Sequence, residues 1–336
     1  MRETTVLVTG VGATTGISVI KGLRQQQEFR VKVVGTDSNP ANLIAGSSLC
    51  DVFHTVPLAA APNYLQSLLT ICQKERVQLL IPIVDPEILV LAENKEIFEK
   101  SGVQLVVSTP ETVSICNDKY ATVMFLRRHD IPTPWTMLAE EITDAESLTY
   151  PVFVKPKHGV GSVNAIRVDS PQELLWAKSK VRDMVVQEYL EGEEFTTDVL
   201  ADFDGRVLAV VPRQRLETKS GISYKGRTCH DEHLIQWGCR IAEVLSIRGP
   251  ANIQCKVSGD HLSYFEVNPR FSGGLPLTIA AGVNGPLWLL RLATGQQSPN
   301  TLLPFQSLVM TRFWSEVFHP PTEETLGDIQ GVSFEY

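Results

Sequence analysis

The stretch Ala251–Gly274, ANIQCKVSGDHLSYFEVNPRFSGG, decides how the rest of the chain is read. Asn252 to Val257 alternates apolar and polar residues, Ser258-Gly259-Asp260 is turn chemistry, and His261 to Val267 resumes the alternation. That spacing predicts two strands joined by a tight turn. Side chains alternate faces along a strand, so Glu266 and Asn268 share one face. Gln254, on the first strand, can lie opposite them. Three oxygen-bearing side chains then converge, and oxygen is the donor that Mg²⁺ takes. Arg270 follows on the same parity and can reach a phosphate with two parallel N–H donors. Phe271-Ser272-Gly273-Gly274 lets the backbone approach whatever lies beyond. Taken alone, the stretch also fits an ordinary hairpin with polar residues on its solvated face.

The chain has 336 residues, too many for one small core, so two or three subdomains are expected. It is 43% hydrophobic and 20% charged, the composition of a globular rather than a disordered protein. With a net charge of −8 and no long basic run, nucleic acid is not expected as a partner. Its six cysteines form no C-x-x-C pair and fit reduced, mostly buried thiols of a cytoplasmic protein. The chain enters a strand almost at once, without a charged-then-apolar leader. The most apolar run, LLIPIVDPEILVLA, is broken by Pro82, Asp85, Pro86 and Glu87, so no membrane span and no membrane partner is expected.

Outward from the hairpin, the N-terminal part alternates strand and helix. Thr4 to Thr9 is a β-branched run ending in Gly10-Val-Gly12-Ala-Thr-Thr-Gly16, followed by an amphipathic helix and a strand, Val31 to Gly35, that ends at Asp37. This pattern is similar to a dinucleotide fingerprint, but the third glycine comes one residue late for G-x-G-x-x-G. The turn is open to three readings: a tight βα turn without ligand, an anion site at the helix N-terminus, or a nicotinamide-binding turn with Asp37 on the ribose. A helix over Pro62 to Glu75, a strand over Gln78 to Ile83, a helix over Pro86 to Lys100 and a strand over Val103 to Val107 continue the alternation. Such alternation predicts a parallel sheet with helices on both faces. Asp85-Pro86-Glu87 falls at the carboxyl end of a strand, as a helix start with Asp85 as N-cap or as part of a ligand site.

Beyond Pro110 two short helices, Glu111 to Cys116 and Asp118 to His129, are stopped by Ile131-Pro-Thr-Pro134. Antiparallel signals follow. Pro151-Val-Phe-Val-Lys155 and Val163 to Val168 flank the turn Pro156-Lys-His-Gly159-Val-Gly161-Ser162, whose backbone N–H groups can fold over a phosphate chain. No G-x-x-x-x-G-K-[ST] occurs, which excludes a P-loop. Ser170 to Lys178 reads as a helix, Met184 to Leu190 as a strand, and Glu194 to Ala201 with Arg206 to Leu216 as a hairpin around Asp204-Gly205. Arg213 to Arg227 is basic and glycine-punctuated, either a solvated loop or a lid bringing positive charge to a triphosphate or carboxylate. Cys229-His230-Asp231-Glu232-His233 reads as a helix start with acids in its first turn rather than a metal cluster.

In this order the pieces resemble the ATP-grasp superfamily, in particular the subgroup similar to one half of the carbamoyl-phosphate synthase large subunit. The resemblance covers nearly the whole chain. It is carried by Asn117-Asp118-Lys119 opening a helix, Pro151 to Pro156 with its glycine tip, Gln187-Glu-Tyr-Leu-Glu-Gly-Glu-Glu-Phe195, and Ala251–Gly274. It implies an α/β plus α+β fold: a pre-ATP-grasp βαβ domain over 1–116 with a parallel sheet, then a two-subdomain ATP-grasp fold, the small subdomain over 117–190 and the large one over 191–336. The family's N-terminal domain helps bind the acceptor substrate and does not bind NAD.

Residue by residue, the resemblance implies that Lys119 and Lys155 hold ATP phosphates and that Gly159, Gly161 and Ser162 form the loop over them. Gln187 and Glu188 fall where the adenine amino group is bound, and Tyr189 and Leu190 on the linker that reads the adenine edge. Glu194 matches the acid on the ribose hydroxyls. Gln254, Glu266 and Asn268 match ligands of one or two Mg²⁺ ions, with Mn²⁺ an alternative, and Arg270 matches the arginine at the γ-phosphate. Many members carry an acid where Gln254 stands, so one less negative charge faces the metals here. Arg215, Arg227 and Ser272-Gly273-Gly274 are candidates for carboxylate or acyl-phosphate contact, and Arg215, Lys155 and Arg270 for catalytic roles. The activity implied is ligation of a small-molecule carboxylate to an amine, on an amino-acid-like substrate, with a homodimer compatible. Two rivals are a carbamoyl-phosphate-synthase-like enzyme making carboxyphosphate from bicarbonate, and a non-catalytic ATP-binding protein.

Overall fold

The computed structural model describes residues 3–159, 163–219 and 221–320. Three sheets follow one another along the chain. In the first, β1 (Glu3–Val8) leads through α1 (Thr14–Arg24) to β2 (Arg30–Asp37), and β3 (Val52–Thr55) extends the sheet beyond it. After α2 (Tyr64–Glu75), β4 (Leu79–Ile81) pairs with β1 on its other side, and β5 (Gln104–Leu105) follows the helices α3 (Asp85–Glu93) and α4 (Lys95–Lys100). All four pairings are parallel, in the order β3-β2-β1-β4-β5. This is the expected parallel sheet, extended by the edge strand β3, none of whose four residues is fully buried. The helix expected over Pro86 to Lys100 is two helices meeting at Asn94.

Helices α5 (Pro110–Asn117) and α6 (Lys119–Arg128) come next, each opened by a capping side chain, Thr109 and Asp118. The second sheet is small and antiparallel: β6 (Thr136–Leu138), β7 (Val152–Pro156), β8 (Ile166–Val168) and, after α7 (Pro171–Lys180), β9 (Met184–Glu188), ordered β6-β9-β7-β8. The third sheet contains β10 (Glu193–Ala201), β11 (Val207–Lys219), β12 (Ile222–Thr228) and, after α8 (Glu232–Val244), β13 (Pro250–Ser258) and β14 (His261–Asn268). Helices α9 (Leu275–Ala280) and α10 (Gly285–Ala293) follow, and β15 (Val309–Thr311) closes the order β14-β13-β10-β11-β12-β15.

Burial follows the alternation. The parallel sheet is apolar on both faces. One face packs Val6, Val8 and Ile81 with α1 against Phe271, Leu275 and Leu289, which ties the N-terminal sheet to the C-terminal helices. The other face packs Leu7, Val34 and Leu80 under α2, α3 and α4. The third sheet buries Val199, Ile253 and Val267 against α8, with Leu126 of α6 and Cys116 of α5 in the same core. A boundary at 117 therefore falls ahead of a helix that packs on the third sheet as well as against β6 of the second. We propose the three-part division on the basis of the three sheets. Among the described residues no helix is long and apolar enough to cross a membrane.

Among the described residues the basic segment Arg213 to Arg227 is strand rather than a solvated loop. It is the paired hairpin β11–β12 in the middle of the third sheet, with β15 on its outer side. Arg213 is only 1% exposed. Sheet pairing on both sides overrides the local glycine and charge content that suggested a loop.

Candidate functional site

The three sheets enclose a cleft of about 1130 Å³. Its walls come from the α1 N-terminus, the β4–α3 junction, the small sheet and the β10–β14 face. Ten predicted site residues whose side chains point to chemistry, Lys119, Lys155, Gln187, Glu188, Glu194, Arg215, Gln254, Glu266, Asn268 and Arg270, all line it, as do Gly159, Tyr189 and Leu190. Gly161 and Ser162 lie outside the described residues.

The wall that anchors the site is the β13–β14 hairpin. Gln254 is paired directly with Glu266, and Asn252 with Asn268. Asn268 donates its amide to Glu266 Oε1 at 3.0 Å and to Asn252 Oδ1 at 3.3 Å, which keeps its own Oδ1 as an acceptor. Glu266 is the single carboxylate of this trio, and no group of three or more His, Cys, Asp or Glu suited to a metal occurs among the described residues. A donor set of one carboxylate and amide oxygens suits Mg²⁺ that brings phosphate oxygens and water with it. Gln254 fits less simply, because its Oε1 already accepts from Arg215 Nη1 at 3.4 Å.

Lys155 stands on β7 opposite this wall, 4% exposed. Its Nζ donates to Phe265 O at 3.4 Å and lies 5.3 Å from the Phe265 ring centre. Burial pushes its pKa down to about 8, against the Glu266 charge, which favours the ammonium, while Lys119 disfavours it. A buried ammonium whose pKa is lowered by desolvation is primed for an anionic ligand. Lys119, the first residue of α6, donates to Gly159 O at 2.7 Å and so touches the base of the glycine turn.

Toward the β9 end, Gln187 is buried and donates to Thr136 Oγ1 at 2.9 Å. Glu188 accepts from Trp135 N at 3.3 Å. The Tyr189 ring lies beneath Arg167 at 4.7 Å and Lys256 at 5.6 Å, and Lys256 donates to Leu190 O at 2.8 Å. Glu194 on β10 is ion-paired with Arg215, which also donates to Gly221 O at 2.7 Å. Arg215 therefore lies beside the acid and the glutamine rather than at the Gly273-Gly274 end of the cleft.

At that other end, Arg213 donates to Asp198 through Nε at 3.0 Å and Nη2 at 2.6 Å, and to Ser272 Oγ at 2.8 Å. A Cβ on Gly274 would meet Arg213 Nη1 at 1.9 Å, so only glycine lets the loop lie against the guanidinium. Arg227 does not line the cleft; it donates to Gln214 Oε1 at 2.6 Å. It is therefore not a contact for a carboxylate in the cleft.

Two readings of the N-terminal sheet change. Asp37 accepts from Gly12 N at 2.8 Å and Asn39 N at 3.0 Å, so its carboxylate clamps the glycine turn instead of waiting for a ribose. The late glycine, Gly16, has its own role, since a Cβ there would lie 2.7 Å from Gly10 O. Asp85 is not the N-cap of α3, a position held by Val84. Glu87 instead accepts from Ile83 N at 2.9 Å and Val84 N at 3.0 Å, and from the hydroxyls of Thr9 and Tyr64. Burial pushes the Glu87 pKa up. Asp85 is thereby left to make a two-point ion pair with Arg270, at 2.8 and 2.9 Å. The helix-start reading of Asp231 holds: it caps α8, and His230 stacks on Phe305.

Sequence reasoning missed Asn252 and Lys256 as lining residues. Their parity with Gln254 was the available signal. Arg213 and Arg167 carry no local signal that separates them from surface cations.

Residues 180–313 match the family described as ATP-grasp in the biosynthetic pathway with Ter operon, and residues 6–106 match the PylC-like N-terminal domain. The chain is 23% identical to the carbamoyl phosphate synthase large chain of a Thermoanaerobacter species, over 97% of this chain and 33% of that protein. It thus spans about a third of the length of that relative. Solved structures of similar fold include N5-carboxyaminoimidazole synthetase from Staphylococcus aureus complexed with ADP, with a TM-score of 0.73 at 14% identity over 92% of this chain and 82% of that one. L-amino acid ligase from Bacillus licheniformis has a TM-score of 0.67 at 18% identity, over 89% of this chain and 76% of that one. The two family matches together identify the chain as an ATP-grasp domain set behind a PylC-like N-terminal domain.

Proposed function

We propose that this protein is an ATP- and Mg²⁺-dependent carboxylate–amine ligase that works through an acyl phosphate and takes an amino-acid-like substrate. One observation carries the reading: two lysines, an arginine, Glu194 and the Gln254–Glu266–Asn268 wall, distant in sequence, face one cleft. The cleft is bounded on its far side by the N-terminal domain, which leaves room for an acceptor beside the nucleotide.

In this mechanism Lys119 and Lys155 hold the phosphates, and Arg270 reaches the γ-phosphoryl group after leaving Asp85. Glu266 and Asn268, with Gln254 beside them, would hold Mg²⁺, which when bound with ATP offsets charge on the phosphate oxygens. A substrate carboxylate oxygen attacks the γ-phosphorus, ADP leaves, and an amine then attacks the acyl carbon and expels phosphate. The protein's part is mainly placement and fixed positive charge in a water-poor cleft. Glu194 would orient the ribose and hold Arg215 in place.

Relatives that are carbamoyl phosphate synthase large chains favour a second reading, with bicarbonate as the carboxylate. Release of ADP and phosphate, screened over pooled amino acids and over bicarbonate alone, separates the two. The ligase reading predicts ADP release that needs an amino acid. Release driven by bicarbonate alone supports the second reading, and no release with any pair contradicts both.

A further inference from the structure

Asp85 is the only acid that the N-terminal domain contributes to the cleft wall among the described residues. Its neighbours in that domain are otherwise engaged: Asp37 clamps Gly12, and Glu87 is buried among Thr9, Tyr64 and two backbone N–H groups. Asp85 instead makes the one two-point ion pair that joins α3 to the loop after β14. Both side chains are about a fifth exposed, 21% and 19%, so the pair faces the cleft rather than bulk water.

We propose that Asp85 is the recognition site for the non-reacting ammonium group of the amino-acid-like substrate whose carboxylate is phosphorylated, and that its pairing with Arg270 makes this site available only once nucleotide is bound. The inference rests on the ligase reading above, in which Arg270 serves the γ-phosphate. One guanidinium edge cannot serve a carboxylate and a phosphate in the same two-point geometry. When Arg270 turns to the phosphate, Asp85 loses its counter-charge at a half-buried wall. Asp85 begins α3, and the helix N-terminus supplies only about half an elementary charge. The carboxylate therefore remains net negative, and a cation is the ligand that restores neutrality. An ammonium group suits it, bringing three donors and one charge. The remaining cleft acids, Glu188, Glu194 and Glu266, belong to the nucleotide side, so they do not compete for that cation.

Two consequences follow by linkage. Nucleotide must displace Asp85 from Arg270, so the pair weakens nucleotide binding. A cation on Asp85 frees Arg270, so cation and nucleotide strengthen each other's binding equally.

The test uses the full chain and Mg²⁺ with the non-hydrolysable analogue AMP-PNP, followed by calorimetry. Asp85→Asn keeps the size of the side chain and removes its charge. It is expected to bind Mg·AMP-PNP about tenfold more tightly than wild type, because no carboxylate competes for Arg270. Ethylammonium chloride, compared with sodium chloride at equal ionic strength, is expected to tighten AMP-PNP binding to wild type and not to Asp85→Asn. Asp85→Glu, which restores a carboxylate, is expected to regain the ethylammonium effect. An Asp85→Asn variant that binds AMP-PNP no more tightly than wild type, or an equal ethylammonium effect in both, overturns the proposal while leaving the ATP site standing. Wild type that fails to bind AMP-PNP at all overturns the nucleotide reading and this proposal together.

Discussion

Arg213 offers the sharpest structural prediction, because its side chain is 1% exposed and donates three hydrogen bonds to two partners. It holds Asp198 at two points, 3.0 and 2.6 Å, and Ser272 Oγ at 2.8 Å, while Ser272 Oγ also accepts from Gly274 N at 3.2 Å. Arg213→Met keeps length and apolar bulk but removes all three donations. Asp198 would then be a buried carboxylate with Thr278, at 2.5 Å, as its remaining side-chain donor. Removing one partner of a buried ion pair costs about 3–5 kcal/mol, a large share of the ~5–15 kcal/mol that holds a typical protein folded. Arg213→Met/Asp198→Asn removes the stranded charge and leaves at most an amide short of a partner, a penalty of about 1–3 kcal/mol. Urea unfolding followed by circular dichroism should therefore rank the proteins as wild type, then double variant, then single variant. A single variant within about 0.5 kcal/mol of wild type, the range of ordinary surface changes, refutes the reasoning, and so does a double variant no more stable than the single one.

Two further outcomes are expected. Gly274→Ala places a Cβ 1.9 Å from Arg213 Nη1, which Asp198 prevents from moving aside, whereas Gly273→Ala meets only Ile222 Cγ2 at 3.1 Å. Urea unfolding should show a loss of about 1–3 kcal/mol or more for Gly274→Ala and a clearly smaller one for Gly273→Ala. Lys155 titrates at about 8 in the free protein, and a bound phosphate raises that value, so Mg·AMP-PNP affinity should be greatest below pH 8 and fall as pH rises through it. In Lys155→Arg, whose charge persists to high pH, a binding titration should show that fall reduced.

Much of this was legible because alternation and turn chemistry are local. The β13–β14 hairpin, the Asp204-Gly205 turn and the strand–helix alternation before Pro110 all follow from side-chain period and glycine placement. The Gln254–Glu266 register is not fixed by the turn: counted from Ser258–His261 it sets Gln254 opposite Phe265, and a bulge between Gln254 and Cys255 moves the pairing to Glu266. Two short edge strands were not legible: β6 and β15 have three residues each, too few for a period to show. The end of β11 and all of β12 hide behind glycines and cations whose pairing is decided by neighbouring strands. The Asp85–Arg270 pair joins residues 185 apart, and no local pattern announces it. For the same reason the sequence offers Arg215 as a substrate contact, while the fold sets it against Glu194.

The central claim is that the β13–β14 wall and the two lysines form a Mg·ATP site. Calorimetric titration of AMP-PNP into wild type and Glu266→Ala, each with and without Mg²⁺, tests it most directly. Glu266 is partly buried on the cleft face, outside the cores, so its removal should leave the unfolding midpoint near that of wild type. Mg²⁺ should tighten binding to wild type at least about tenfold, and that effect should be lost in Glu266→Ala. Equal Mg²⁺ enhancement in the two proteins, or no binding to wild type, would contradict it.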